Sequence, residues 1–171
     1  MNIVHATAAD IPALTILINS AYRGESSKKG WTTEADLLDG TRTDEKSLAD
    51  LLNKTGANVL TCRNDDDAII GCVYLQKEME ALYLGMLTVN PLLQAGGIGR
   101  YLLKAAEDFA KKENYNSIYM TVIAVRHELI AWYERHGYTK TGETKPFPAG
   151  IAFGKPKQPL ELLVMKKKIL S

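Results

Sequence analysis

Gly96, Gly97 and Gly99 lie between an apolar run that ends at Asn90-Pro91 and a stretch with helical periodicity. Glycine lets the backbone bend sharply and lets a ligand approach with no Cβ in the way. The helix start that follows offers unpaired N–H groups and about half a positive charge from the macrodipole. Together these make an anion site, most naturally for a phosphate or pyrophosphate. A plain connection with no ligand would carry an entropic cost of about 0.5–1 kcal/mol at each glycine relative to alanine. A nucleoside-triphosphate loop would need Gly-Lys-Ser/Thr, whereas this chain has Gly99-Arg100-Tyr101. A dinucleotide fingerprint would need a third glycine where Leu102 stands and an acidic residue about 20 positions on.

Other reactive side chains point less far. Cys62 and Cys72 fall in neighbouring strand-like segments, and His5, His127 and His136 make no metal-ligand spacing with them, so both read as buried free thiols and no metal is expected. The acids of Asn64-Asp65-Asp66-Asp67 lack the glycine and distal glutamate of a calcium loop and read as a solvated turn.

These residues need elements to position them. Met86, Leu87, Thr88 and Val89 form a β-leaning strand, stopped by a proline that has no N–H to give. Ile98, Leu102, Ala105, Ala106 and Phe109 recur at helical spacing, with Lys104, Glu107, Asp108 and Lys111 opposite. Upstream, residues 2–6 read as a strand, and Thr7 with Asp10 as the cap of a helix whose buried stripe is Ile11, Leu14, Leu17, Ile18 and Ala21. A long polar segment follows, with short helices expected over 34–38 and 45–53. Residues 57–63 and 68–77 form a hairpin and 80–89 the third strand of a meander. After the glycine-loop helix come a parallel strand at 117–122, a helix at 127–136 closed by Gly137, and strands at 138–145 and 160–169. The order β–α–α–β–β–β–α–β–α–β–β is mixed α/β in one domain over residues 1–171.

Composition narrows the classes. Lys and Arg number 21 against 20 Asp and Glu, a net charge of +1, which steers the chain toward neither nucleic acid nor an anionic membrane surface. Residues 1–10 carry no basic region followed by an apolar core, and no apolar run approaches the roughly 20 residues of a membrane span, so a cytoplasmic location is expected.

Within strand–Asn-Pro–loop–helix, the run Gln94-Ala95-Gly96-Gly97-Ile98-Gly99 fits Gln/Arg-x-x-Gly-x-Gly and resembles the acetyl-CoA pyrophosphate loop of the GNAT superfamily of N-acetyltransferases. A second motif, Glu128 through Trp132-Tyr133-Glu134-Arg135-His136-Gly137-Tyr138, resembles the helix of that family reading aromatic-Tyr-Glu-Lys/Arg-x-Gly-Phe/Tyr. The resemblance covers most of residues 3–165. It implies an α/β (α+β) fold: a central mixed sheet of about seven strands flanked by about four helices, splayed between the fourth and fifth strands. Acetyl-CoA would lie in the gap as cosubstrate and an amine would enter from the opposite side.

By motif position, the backbone of Leu87, Thr88 and Val89 would pair with the pantetheine amides. A β-bulge there would aim the Leu87 N–H at the thioester oxygen. Gln94, Ala95, Gly96, Gly97, Ile98, Gly99 and Arg100 would cradle the pyrophosphate, and Tyr133 would protonate the departing thiolate, with Trp132 left to the core. Arg126 replaces the usual asparagine seven positions before the tyrosine and could reach a 3′-phosphate, the acceptor or solvent.

The reaction implied is attack of a neutral amine on the thioester, with Glu25, Glu34, Glu80 and Glu128 as candidate proton acceptors. Tyr22, Arg23, Glu25, Trp31 and Tyr83, with the loop over 146–153, would shape the acceptor pocket. Arg23 would pair with a carboxylate or phosphate of a small amino-acid-like acceptor. Transfer to a protein N-terminus or lysine, and a CoA-binding sensor without turnover, are the other classes. Dimers are common in the family, and residues 160–169 are one edge for pairing.

Overall fold

The structure is a computed structural model that describes residues 1–23, 27–28, 30, 33–94, 96–148 and 155–170. The N-terminal strand β1 (Asn2–His5) leads through a short 3₁₀ turn into α1 (Ile11–Tyr22). The Thr7 N–H donates to the Asp10 carboxylate at 2.8 Å, the reciprocal half of a capping box, and Pro12 sits in the first turn, where its missing N–H costs nothing. Helix α2 (Glu45–Asn53) starts at Asp44, whose carboxylate accepts from the Ser47 N–H at 2.7 Å.

The meander follows as β2 (Ala57–Arg63), β3 (Ile69–Lys77) and β4 (Leu82–Val89). Then come α3 (Ile98–Lys112), β5 (Ser117–Ile123), α4 (His127–Arg135), β6 (Thr139–Pro146) and β7 (Glu161–Lys168). Seven strands form one mixed sheet in the order β1-β2-β3-β4-β5-β7-β6, and Leu38–Asp39 pairs separately with Lys155–Pro156. The expected sheet, its seven strands and, among the described residues, four helices around it are present. Among the described residues no helix is long and apolar enough to cross a membrane.

Two cores sandwich the sheet. One, around Leu82, Leu84, Leu102, Leu103, Ile118 and Met120, lies under α3 and α4. The other, around Leu14, Ile18, Leu48, Val59 and Cys72, lies under α1 and α2. Burying such side chains contributes about 1.5–3 kcal/mol each relative to exposure and fixes the helices over opposite faces. Both cysteines are buried free thiols, and burial pushes the Cys72 thiol up to about 12, beyond use as a nucleophile at neutral pH.

The sheet opens where the site must be. The parallel pair β4–β5 is registered only at Leu82↔Ile118 and Tyr83↔Tyr119, so the two strands part before Gly85. On its other side β4 loses register with β3. Cys72 pairs with Thr88 and Tyr74 with Gly85, so Met86 and Leu87 together stand opposite Val73. Met86 takes the left-handed region at φ +54°, a costly conformation for a side chain of its size. The bulge expected at Leu87 is there.

Three expectations are corrected. Residues 34–38 form a single turn and then a strand: the Leu37 and Leu38 N–H groups both donate to the Glu34 carbonyl at 2.9 Å, after which Leu38 pairs with distant Pro156. The last strand is no edge, because β6 lies outside it and takes its free side, leaving β1 and β6 as the two edges. Trp132, expected wholly in the core, packs against the first core but is only partly buried, because it also faces the cleft described below.

Candidate active site

Helix α3 begins at Gly97, which caps it at φ +80°, ψ 7°, a conformation glycine enters without the Cβ penalty. Gly99 is glycine for another reason. A Cβ there would sit 3.1 Å from Trp132 Cζ2 and 3.3 Å from its Cη2, so α4 can press its indole onto the first turn of α3 only because position 99 has no side chain. Trp132 meets Tyr133 edge-on at 5.2 Å and His136 at 4.2 Å between ring centroids. The His136 Nδ1 lies 2.7 Å from the Trp132 carbonyl oxygen, which can only accept, so Nδ1 carries the hydrogen in this pairing.

These residues wall a cleft of about 580 Å³, lined by Val89, Gln94, Gly96, Gly97, Gly99 and Arg100 along one side. Trp132, Tyr133 and His136 close the other side. The Gln94 amide donates to the Val89 carbonyl at 3.4 Å, tying the loop back to the end of β4. Backbone N–H groups at a helix start, a guanidinium and no carboxylate among the described lining residues suit a pyrophosphate. Thr88 and Ile98 turn their side chains into the protein, Thr88 donating to the Met86 carbonyl at 2.8 Å, so only their backbone could meet a ligand. Ala95 lies outside the described residues.

A second cavity of about 180 Å³ lies between the splayed strands, lined among others by Arg23, Glu34, Arg42, Tyr83, Arg126 and Phe147. Tyr22, Leu87, Leu129 and Tyr133 border both spaces and so form the partition between them. The Tyr22 hydroxyl donates to the Leu87 carbonyl, fixing the bulge from α1. Burial pushes the Tyr22 phenol up to about 12, with Arg126 and Arg42 acting against it. Burial also raises the Tyr133 phenol well above its ordinary value, so it keeps its proton across the neutral range. Among the described residues the buried side-chain oxygen without a hydrogen-bond partner is the Tyr138 hydroxyl, whose ring meets that of Tyr133 edge-on at 5.9 Å.

The charges of the second cavity form a network. Glu34 Oε1 accepts from Arg23 Nε at 3.1 Å and Nη2 at 2.9 Å, while its Oε2 accepts from Arg126 Nη1 at 3.4 Å. Arg23 Nη1 also donates to the Thr41 carbonyl at 3.2 Å. Arg23, expected to meet an acceptor, is therefore buried and engaged internally, and Arg126 faces this cavity rather than the glycine loop. Of the four candidate proton acceptors, Glu34 lines the cavity, Glu80 and Glu128 line neither space, and Glu25 lies outside the described residues with Trp31. Among the described residues no group of His, Cys, Asp and Glu could hold a metal ion.

The sequence reading missed Arg42, Leu129, Trp132 and His136 as lining residues. Trp132 and His136 were within reach, since they lie one residue before and three residues after Tyr133 on the same helix. Arg42 carried no local signal.

The acetyltransferase (GNAT) family model matches residues 16–138, which span the bulge, the glycine loop and Tyr133. The chain belongs to this family. An acetyltransferase from Agrobacterium fabrum is 31% identical over 91 residues, 53% of this chain and 65% of that protein. A probable N-acetyltransferase of Xenopus tropicalis is 32% identical over 80 residues, 46% of this chain and 39% of that protein, so the matches span less than two thirds of either relative. A solved structure from Streptococcus mutans shares the GNAT-like fold at a TM-score of 0.74 and 15% identity, covering 99% of this chain and 100% of that one. The ribosomal-protein-alanine N-acetyltransferase of Brucella melitensis superposes at a TM-score of 0.70 and 27% identity, covering 99% and 100%.

Proposed function

We propose that this GNAT protein transfers an acetyl group from acetyl-CoA to the primary amine of a small, amino-acid-like acceptor in the cytoplasm. The observation that carries the reading is the partition: the Leu87 bulge and Tyr133 border both the phosphate-suited cleft and the charged cavity. A thioester reaching through from one side would meet an amine from the other across these residues.

Gln94, Gly96, Gly97, Gly99 and Arg100, with Ala95 and the Ile98 backbone, would hold the pyrophosphate, and the backbone of Leu87, Thr88 and Val89 the pantetheine arm. Acetyl-CoA supplies the activated acyl group. The uncharged amine attacks the carbonyl carbon, and negative charge develops on the carbonyl oxygen, which the Leu87 N–H stabilises. As the carbon–sulfur bond breaks, the sulfur takes a proton from the Tyr133 hydroxyl, the nitrogen of the new amide gives up its extra proton, and the phenolate is reprotonated through solvent. Tyr22 is spent on the Leu87 carbonyl, which leaves Tyr133 as the phenol with a proton to give. Both Glu34 oxygens already accept from guanidiniums, one from Arg23 and one from Arg126, and the ammonium proton leaves to solvent.

The test is thiol release from acetyl-CoA against a panel of amines, for the native protein and Tyr133→Phe. Amine-dependent release that drops by about 10²–10⁴-fold in the variant, with acetyl-CoA affinity kept, is the expected result. Tight CoA binding without release on any amine would favour a sensor, and no CoA binding would overturn the assignment of the loop. A second reading, transfer to a peptide or protein N-terminus, has the Brucella similarity in its favour. Release with alanine-initiated peptides and none with free amino acids would establish it instead.

A further inference from the structure

The charge network of the second cavity leaves one guanidinium over. Glu34 is shared between Arg23 and Arg126, whereas Arg42 lines the same cavity and forms no ion pair among the described residues. Its position is fixed through its backbone. The Asn19 side-chain oxygen accepts from the Arg42 N–H at 2.7 Å and the Thr43 N–H at 3.0 Å, and the Asn19 amide donates to the Thr43 carbonyl at 3.0 Å. Arg23 holds the preceding carbonyl, that of Thr41. Three hydrogen bonds from one α1 side chain and one from its neighbour along the helix thus clamp an otherwise irregular segment at the residue that carries the charge.

From these contacts we infer that Arg42 binds a carboxylate on the acceptor and so selects α-amino-acid-type acceptors over simple amines. The inference rests on the acetyl-transfer reading for its amine but not for its anion. At about 180 Å³ the cavity suits a small molecule. A guanidinium offers a carboxylate two parallel N–H donors, and a cationic polyamine would meet Arg42 and Arg126 as like charges. The nearby Glu34 carboxylate disfavours a doubly charged phosphate. Phe147 and Pro148 leave an apolar wall for a side chain. Arg42 replaces Arg23 in the role expected from the sequence, because Arg23 is the residue that holds the clamp.

The experiment is calorimetric binding of L-amino acids and of their carboxamides to the CoA-saturated protein, alongside the turnover assay, for the native protein, Arg42→Ala and Arg42→Lys. The native protein should favour the carboxylate member of a pair. Arg42→Ala should lose about ten- to a hundred-fold on that member and little on the carboxamide, with acetyl-CoA affinity unchanged as evidence of folding. Arg42→Lys should recover part of the loss. Equal weakening of both members, no binding of either, or tighter binding of an aminoalkylphosphonate than of the matching carboxylate would overturn the assignment. Carboxylate-selective binding that depends on Arg42, without thiol release, would uphold Arg42 while rejecting the transferase reading.

Discussion

The two spaces on either side of Tyr133 are built from different materials. The loop cleft is made of backbone and small residues contiguous in sequence, from Val89 through Arg100, closed by one helix face bearing Trp132, Tyr133 and His136. The second cavity lies against the splayed strands β4 and β5 and takes its charge from four side chains far apart in sequence, Arg23 at the end of α1, Glu34, Arg42 and Arg126 just before α4. A backbone cradle tolerates exchange of its side chains so long as space is kept, whereas a buried ion network fails when one member is removed. The first arrangement suits a ligand that never changes, and the second can be re-specified residue by residue.

The largest effect should follow from Glu34→Ala. Removing the carboxylate leaves Arg23 and Arg126 buried without it, at a cost of about 3–5 kcal/mol, read as a shifted denaturant midpoint at unchanged slope. Glu34→Gln should recover part of it. Loss of acetyl-CoA binding in a Glu34→Gln protein that remains folded would show that the two spaces are one unit.

Next comes Gly99→Val on the other side. With a Cβ already 3.1 Å from the indole, the γ-methyls must push Trp132 off the first turn of α3. The KM for acetyl-CoA should rise about tenfold or more, an order expected for 1–3 kcal/mol of overpacking, while acceptor affinity holds.

Asn19→Ala should act in mirror image. Two backbone N–H groups lose their acceptor, lowering stability by about 1–3 kcal/mol, and a loosened Arg42 should raise acceptor KM several-fold with acetyl-CoA KM unchanged. A change in kcat at constant KM would place Asn19 in the chemistry and contradict a positioning role.

This contrast also governed what could be read from the chain. The glycine loop and the Tyr133 helix are written in consecutive residues, and the capping box at Thr7 and the turn at Asn64–Asp67 are legible because their hydrogen bonds close within a few positions; the bulge at Met86–Leu87, made against β3 and bonded from Tyr22, was expected only through the family resemblance. The Glu34 segment has helical spacing for one turn, but Leu38 is taken by Pro156 and the Leu37 carbonyl by the Lys157 N–H at 2.8 Å, partners more than a hundred positions away. The role of β7 was misread for the same reason: whether a strand is an edge depends on which strand arrives beside it. Arg42 and Arg23 were indistinguishable as isolated cations, and only the placement of Glu34 separates them. The distinction between Trp132 and Tyr133 turned on a missing Cβ in another helix.

The smallest effect is expected far from both spaces, at the other end of α1. Burial acts to raise the Asp10 carboxyl, but the Thr7 N–H and the Arg63 guanidinium 2.9 Å away outweigh it and hold the group below its usual range. The folded state therefore favours the carboxylate. Stability from Asp10 is fully present above its unfolded value, near 3.9, and is lost as pH falls through the lower folded value. Asp10→Ala should cost about 1 kcal/mol near pH 7, and the difference from the native protein should shrink below about pH 4, measured as denaturant midpoints at pH 7 and pH 3. Asp10 and Tyr22 are separated by the length of α1, about 18 Å at 1.5 Å per residue over its 12 residues. Both KM values should therefore be unchanged at neutral pH. A shift in acceptor KM alone would mean that fraying at the first turn of α1 travels to Asn19 and the Arg42 clamp. It would make the second cavity sensitive to the whole helix, where the loop cleft depends only on its own neighbourhood.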